Sequence, residues 1–489
     1  MLTGILIILP LIAAVLVYML RGNGARNGAL FFSLVEFVLA LTSLFQFRYN
    51  PEDPKKILSL DCSWIQSIGV KFSVGVDGIS MLLVLLTSFL VPLIILSSYK
   101  NEYTKSNVFY SLILFMQMAL VGVFVAKDGF LFYIFWELAL IPIYFICLLW
   151  GGENRGKITF KFFIYTLFGS LFMLIALIFL YNNTGLTGVK SWAIQDLYDA
   201  GRALPADKQT FVFWSIFLAF AIKMPIFPFH TWQPDTYVTA PTQGTMLLSG
   251  IMLKMGIFGL IRWLLPVVPN AVVEWGPIAI GLSVLGILYA SVIAIMQKDY
   301  KRLIAYSSIA HVGLIAAGIL AFNQQGIQGG VIQMLSHGVN VVGLFLIADI
   351  LFRHLGTRKL EELGGIRNIN PTFAVLFLVI LLGSVALPLT NGFIGEFLLI
   401  NGVFAYGKIT AAFAGLTIIF GAVYMLRSYQ KIMLGEANSL TTTFGKLAVT
   451  DKIVLVIVCV TIIAFGVYPK PLNDLAAPAV TELLKSLGK

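Results

Sequence analysis

Cysteine is scarce in this chain. Cys62, Cys147 and Cys459 are the three present among 489 residues, and no two of them form a Cys-x-x-Cys pair. That spacing gives no support to a disulfide framework or to iron–sulfur ligation. Histidine is also rare, four in all, which weighs against a membrane haem protein built on His311 and His337. Charged residues make up 11%, against roughly 25% in a soluble domain. The net charge of +10 is spread over short connections, which suits membrane topology better than a nucleic-acid surface. The first twenty residues, MLTGILIILPLIAAVLVYML, have no basic opening. Their apolar run is too long for a signal peptide, so they read as a retained first span.

Long apolar runs are what the sequence does have: 59% of residues are hydrophobic. Only helices and closed barrels satisfy their backbone in lipid, and uniform runs rather than ten-residue alternations exclude the barrel. The expectation is an all-α polytopic membrane protein of about 14 transmembrane helices. Spans are predicted near 2–20, 30–47, 79–98, 108–126, 129–149 and 160–181. A broken seventh carries Lys223, and others lie near 244–264, 277–296, 302–321 and 330–352. A broken twelfth covers about 372–404, and the last two lie near 409–432 and 452–468. Two longer polar stretches interrupt the series. Residues 48–78 hold strand-like alternation in LDCSWIQSIGVKFSVGVD, and residues 182–210 hold a short amphipathic helix near 192–200. Connections after odd-numbered spans hold 18 Lys and Arg, against 12 on the other side. The positive-inside rule then places both termini away from the cytoplasm.

Two spans break the pattern. In LAFAIKMPIFPFHTWQPDTYVTAPTQGTM a span places Lys223, Pro225, Pro228, His230, Pro234 and Asp235 where Leu and Val are expected. Pro225 and Pro228 lack the N–H groups that the carbonyls of Ala221 and Met224 would receive. The twelfth span is expected to break around Pro388-Leu389-Thr390-Asn391-Gly392. The broken spans stand five apart, which predicts two inverted five-helix repeats, each with one discontinuous helix and a site at the membrane midplane. The predicted divisions are residues 1–107 (three N-terminal spans), 108–264 and 265–433 (the repeats), and 434–489 (the last span and tail).

Ionisable residues inside spans are costly, by about 3 kcal/mol or more, and mark ion paths or buried pairs. Glu137 in FWELALIP and Lys223 are candidate partners, although a buried pair can be purely structural. Lys254 is flanked by glycines, and His311 and His337 are each centred in a span. A lone histidine on an apolar helix is often a packing residue, so their shared depth with Lys254 is what singles them out. Glu396 follows the second break. Asp349 and Glu36 are weaker candidates, and Arg427 reads as an interface residue. Lys223, Lys254, His311, His337 and Glu396 come from five helices at similar depth and predict a polar axis in the membrane plane. Burial disfavours a charged lysine and a nearby carboxylate favours it. Movement of Glu137 relative to Lys223 would therefore switch the lysine's hold on its proton, with Glu396 gating exit.

FWELALIP, AFAIKMPIFPFHTWQPD, LKMGIFGLIR, KRLIAYSSIAHVG and NGFIGEF resemble the signature segments of the antiporter-like subunits of respiratory complex I, NADH–quinone oxidoreductase. The resemblance covers nearly the whole chain and is weakest in 48–78 and 182–210. It is strongest to the M-type members, which characteristically carry glutamate at the position of Glu396 where N-type, L-type and Mrp antiporter subunits commonly carry lysine. The resemblance implies that Glu137 and Lys223 form the pump's ion pair and that Lys254, His311 and His337 form its central relay. It implies proton translocation in a bacterial cytoplasmic membrane, neighbouring membrane-arm subunits and lipid as partners, and no cofactor, flavin, cluster or quinone in this chain. A histidine common in the family after the seventh span is here Tyr237, a phenol that holds its proton at neutral pH and so stays outside the expected path. A subunit of a multi-component Na+/H+ antiporter is the alternative, which Glu396 opposes.

Overall fold

The computed structural model describes residues 2–49, 58–187 and 190–488. Two helices, α1 (Leu2–Met19) and α2 (Asn23–Tyr49), open the chain. The alternating stretch forms an antiparallel hairpin of β1 (Leu60–Ile65) and β2 (Val70–Val74). It turns at Gly69, whose φ of 70° suits a residue without a Cβ. Part of that polar stretch, residues 50–57, lies outside the described residues. Asp77 caps α3 (Gly78–Ser97) by accepting the Ser80 N–H at 2.9 Å. After α4 (Ser106–Val125), Asp128 caps α5 (Gly129–Leu138), which continues past a turn at Ala139 as α6 (Leu140–Trp150). Then come α7 (Arg155–Asn183) and the expected amphipathic helix, α8 (Ile194–Ala203).

The first broken element is α9 (Ala206–Lys223), an irregular stretch, and α10 (Gln233–Thr239). The next span alternates between α11 (Thr242–Leu247), a π turn at Leu248–Met252, α12 (Lys254–Gly259) and a second π turn at Leu260–Leu264. Next is α13 (Pro269–Met296), which starts earlier than the 277 expected. Pro269 sits in its first turn, where a missing N–H leaves nothing unmade, and Pro277 removes a single bond inside. After α14 (Tyr300–Leu320) and α15 (Gln324–Leu355), the second broken element is α16 (Pro371–Ser384) and α17 (Asn391–Tyr406). The chain finishes with α18 (Lys408–Met433), α19 (Val449–Val467) and a further helix, α20 (Lys470–Ser486), in what was expected to be a tail. Gly78 lies against α20 so closely that a Cβ there would strike the Leu475 carbonyl oxygen.

Twelve helices among the described residues are long and apolar enough to cross a membrane. The two expected spans that fall short of that criterion are the seventh and twelfth, the broken ones. Their breaks share one backbone pattern. In the first, Met224 N–H bonds to the Phe220 carbonyl, Ile226 N–H to Ala221 and Phe229 N–H to Ile226. In the second, Val385 N–H bonds to Leu381, Leu387 N–H to Leu382 and Thr390 N–H to Leu387. Every residue of the second set lies 161 positions after its counterpart. The Ala221 carbonyl, expected to be freed by Pro225, is thus satisfied one residue later by Ile226 at 2.8 Å. The Ile222 carbonyl accepts from the Trp232 indole at 2.9 Å.

Burial sorts the helices. α14, α15 and the α11–α12 span are almost wholly enclosed, whereas α2, α18 and α19 turn apolar side chains outward, Phe31, Phe45 and Ile409 among them. With few charges on those outward faces, lipid is the solvent they suit.

Candidate functional site

The α5–α6 turn places Glu137 in the last turn of α5, and the first break places Lys223 at the C-terminus of α9. A cation at a helix C-terminus lies on the favourable end of the helix dipole. Lys223 is buried, with its ammonium 5.3 Å from the ring centre of Trp136, the neighbour of Glu137. Tyr133, one turn earlier, and Ser170 on α7 stand beside the Glu137 carboxyl, and Lys223 is its charge partner. Glu137 Oε1 is buried without a hydrogen bond. Among the described residues no ion pair of 4.0 Å or less joins the two, so they are set near one another in an unclosed pair.

Lys254 begins α12 directly after the first π turn and is fully buried. The turn brings the Ser249 carbonyl to its ammonium at 2.5 Å, and α15 brings His337 Nδ1 to 2.8 Å. Two glycines make room for this helix. A Cβ on Gly256 would sit 3.0 Å from the Phe220 carbonyl oxygen at the end of α9, and one on Gly250 would meet Val342 of α15 at 3.1 Å. On the other side of His337, Nε2 lies 3.0 Å from Ser308 Oγ of α14. His311, one turn further along α14, has its ring centre 6.0 Å from that of His337. Its Nδ1 lies 2.9 Å from Glu396 Oε1 on α17, a charge contact out of line for a hydrogen bond. Gln333 Nε2 of α15 donates to the same carboxylate oxygen at 3.2 Å. Glu396 is 1% exposed.

The structure therefore gathers the six expected residues into three groups. Glu137 faces Lys223 across a gap, Lys254 joins His337, and His311 joins Glu396. No hydrogen bond or ion pair among the described residues links one group to the next. Tyr237 is fully buried between Trp232 and Phe345, with its hydroxyl by Gln233 and Ser249 and no well-formed bond to either.

Residues 126–421 match the family described as NADH:quinone oxidoreductase/Mrp antiporter, TM. NADH-quinone oxidoreductase subunit M of Rickettsia prowazekii is 39% identical over 98% of each chain. The chain belongs to this family. Within it, a chain in respiratory complex I from Thermus thermophilus with bound NADH superposes with a TM-score of 0.90 at 29% identity, covering all of both. A chain of the Mrp complex from Dietzia sp. shares the fold at a TM-score of 0.84 and 19% identity. The match covers 98% of this chain and 52% of that one.

The other ionisable candidates have different surroundings in this member of the NADH:quinone oxidoreductase/Mrp antiporter family. Asp349 accepts from Thr242 at 2.6 Å and pairs with Arg353 at 2.8 Å, and Arg353 reaches the fully buried Asp451 at 2.9 Å. Asp235 pairs with Arg302 at 3.0 Å, and Arg262 pairs with Asp77. Arg427 is exposed. Glu36 is buried with neither oxygen hydrogen-bonded. What sequence reasoning missed are the neutral polar side chains around the axis: Tyr133, Ser170, Ser249, Ser308 and Gln333. Tyr133, Ser308 and Gln333 stand one helical turn from Glu137, His311 and His337 respectively, so spacing carried a signal for those three. Ser170 and Ser249 had none, because their contacts arise from another helix and from a π turn.

Proposed function

We propose that this chain is a proton-translocating membrane-arm subunit of NADH-quinone oxidoreductase, coupled to quinone reduction elsewhere in the complex. The observation that carries the reading is the pair of close contacts at membrane depth, Lys254–His337 at 2.8 Å and His311–Glu396 at 2.9 Å, built from four different helices. A subunit M relative, 39% identical over 98% of both chains, supports the choice of complex. Glu137, Lys223, Lys254, His311, His337 and Glu396 carry the proton. Glu137 modulates how tightly Lys223 holds it, because the unclosed pair leaves the carboxylate free to approach or withdraw. A protonated Lys254 donates to His337 Nδ1, and His311 delivers to Glu396.

In this reading the chain crosses the membrane fourteen times, counting each broken element once, with both termini outside a bacterial cytoplasm. Residues 108–264 and 265–433 are the inverted repeats, a division that the 161-residue correspondence of the breaks supports. Residues 1–107 add three spans and 434–489 the last span with its trailing helix. Its partners are the neighbouring antiporter-like subunits, lipid and protons. An Mrp-type Na+/H+ antiporter subunit is the second reading, favoured by the shared fold and opposed by Glu396. The test is to purify the native assembly and identify what accompanies the chain. Redox subunits support the proposal, and an assembly of antiporter subunits alone supports the alternative. In vesicles from the same cells, NADH oxidation must generate a ΔpH that Glu137→Gln abolishes at normal subunit abundance.

A further inference from the structure

We propose that Ser308 is a positioning residue that holds His337 toward Lys254 and away from His311, and so decides whether the two halves of the axis are joined. The proposal rests on the reading of Lys254, His337, His311 and Glu396 as a proton path.

The imidazole of His337 is held at both nitrogens. Lys254 as an ammonium has three donors and no acceptor. One of its protons is taken by the Ser249 carbonyl at 2.5 Å, so a second points to His337 Nδ1 at 2.8 Å, which must accept. Neutral His337 then carries its own proton on Nε2, and that N–H donates to Ser308 Oγ at 3.0 Å. Ser308 in turn has Ser249 Oγ at 3.4 Å for its hydroxyl proton. These contacts lead from Lys254 through His337 and Ser308 back to Ser249, which lies on the same span as Lys254. They form a closed circuit that does not reach Glu396.

The onward acceptor stands beside the circuit. His311 is three residues after Ser308 on α14, so both side chains project to the same side of that helix. Its Nδ1 lies 2.9 Å from Glu396 Oε1, though out of line for a hydrogen bond, while its Nε2 is buried and has no hydrogen-bond partner. The ring centres of the two histidines are 6.0 Å apart. For a proton to cross, Lys254 Nζ gives one to His337 Nδ1, and the Nε2–H of the resulting imidazolium leaves Ser308 for His311 Nε2. His311 then gives its Nδ1 proton to Glu396. One proton moves, each histidine returns to neutral, and no electron is transferred. Ser308 favours the resting orientation because its oxygen is the acceptor that the neutral imidazole already has.

The experiment uses the whole complex in native membrane vesicles, with Ser308→Ala, Ser308→Cys and Ser308→Thr. Subunit abundance, NADH oxidation and ΔpH are measured together. Removal of the acceptor lets His337 turn to His311 without waiting for a proton from Lys254, so Ala should lower the ΔpH formed per NADH oxidised. Cys, close to isosteric but a weak hydrogen-bonding group, should behave as Ala does, and Thr should restore the native ratio. Density for the purified Ala complex should show the His337 ring turned toward His311. A native ratio in Ala, or in Cys where Ala does not accumulate, overturns the proposal. A loss that Thr does not restore overturns it also, since hydroxyl loss is then not the cause. His337→Ala is the control. Should it pump normally, the proton path itself is wrong; should it fail while Ser308→Ala is native, only the positioning role is lost.

Discussion

At the scale of single residues, the burial of charge decides what each group can do. Glu137→Gln keeps the shape of the side chain and removes its charge, and its effect on vesicle ΔpH tests the pair with Lys223. The structure sharpens a relocation experiment. Of the two positions one turn further along, Leu140 is 3% exposed and Ile141 is 46% exposed. Leu140, three residues on, is therefore the inward one of the two. On the Glu137→Gln background, Leu140→Glu should recover part of the ΔpH and Ile141→Glu none. Recovery from Ile141→Glu alone would contradict this orientation. Lys223→Arg should fail, because a guanidinium remains charged whatever Glu137 does; full ΔpH at normal abundance in that variant would make the lysine structural. At Glu396, Gln keeps size and hydrogen bonding but does not titrate, whereas Lys titrates with the opposite charge. Glu396→Lys should retain more coupled pumping than Glu396→Gln. Equal, near-complete losses would mean that the sign of the charge matters against His311, and near-normal pumping in Gln would remove Glu396 from the path.

Among the elements, the two breaks and the π turns set the geometry of the axis. The breaks make the same backbone hydrogen bonds from different sequences and different dihedral angles. Pro225 and Pro228 mark the first, while the second, with Pro388 alone, puts Ala386 and Leu389 at φ of 57° and 72°. Such angles in residues with side chains are sparsely populated and persist only where the surroundings impose them. The π turns shift the face of the span so that Lys254 meets its own Ser249 carbonyl and α15 together. Gly256 is where α12 touches the end of α9, and any added side chain must displace Met224 or the Phe220 backbone. Gly256→Val should therefore lower stability by about 1–3 kcal/mol, the usual penalty of overpacking. It should also separate Lys254 from the first break. The check is thermal unfolding of the detergent-purified complex together with ΔpH. Unchanged melting with native ΔpH would show that α12 has room to move.

For the molecule as a whole, ion pairs at one end of the bundle tie distant parts of the chain. Arg353 of α15 bridges Asp349 and Asp451, the latter on α19 and 0% exposed, and Asp349 accepts from Thr242 of α11. Removing one partner of a buried pair leaves the other charge uncompensated, at about 3–5 kcal/mol. Arg353→Ala should destabilise on that scale, and Arg353→Ala with Asp451→Asn should recover much of the loss. Subunit abundance and thermal unfolding would measure both. A double variant as unstable as the single one would show that the loss comes from packing of the arginine stem.

The sequence by itself determined the membrane class, the order of the long apolar helices, both breaks, and the placing of six ionisable residues within apolar helices. These follow from local chemistry: apolar runs must form helices in lipid, proline removes a donor, and a charge at mid-span is costly wherever it occurs. The chain's start for α13, the helix in the C-terminal tail and the π turns around Lys254 lay beyond such reading. In each, packing against neighbouring helices overrode the punctuation of proline and glycine. Only the tertiary structure decided which groups touch. Glu137 and Lys223 remain apart, His337 is shared between Lys254 and Ser308, and His311 belongs with Glu396. Those pairings depend on how helices far apart in sequence are rotated against one another, and the period of a single helix carries no record of its partner's rotation.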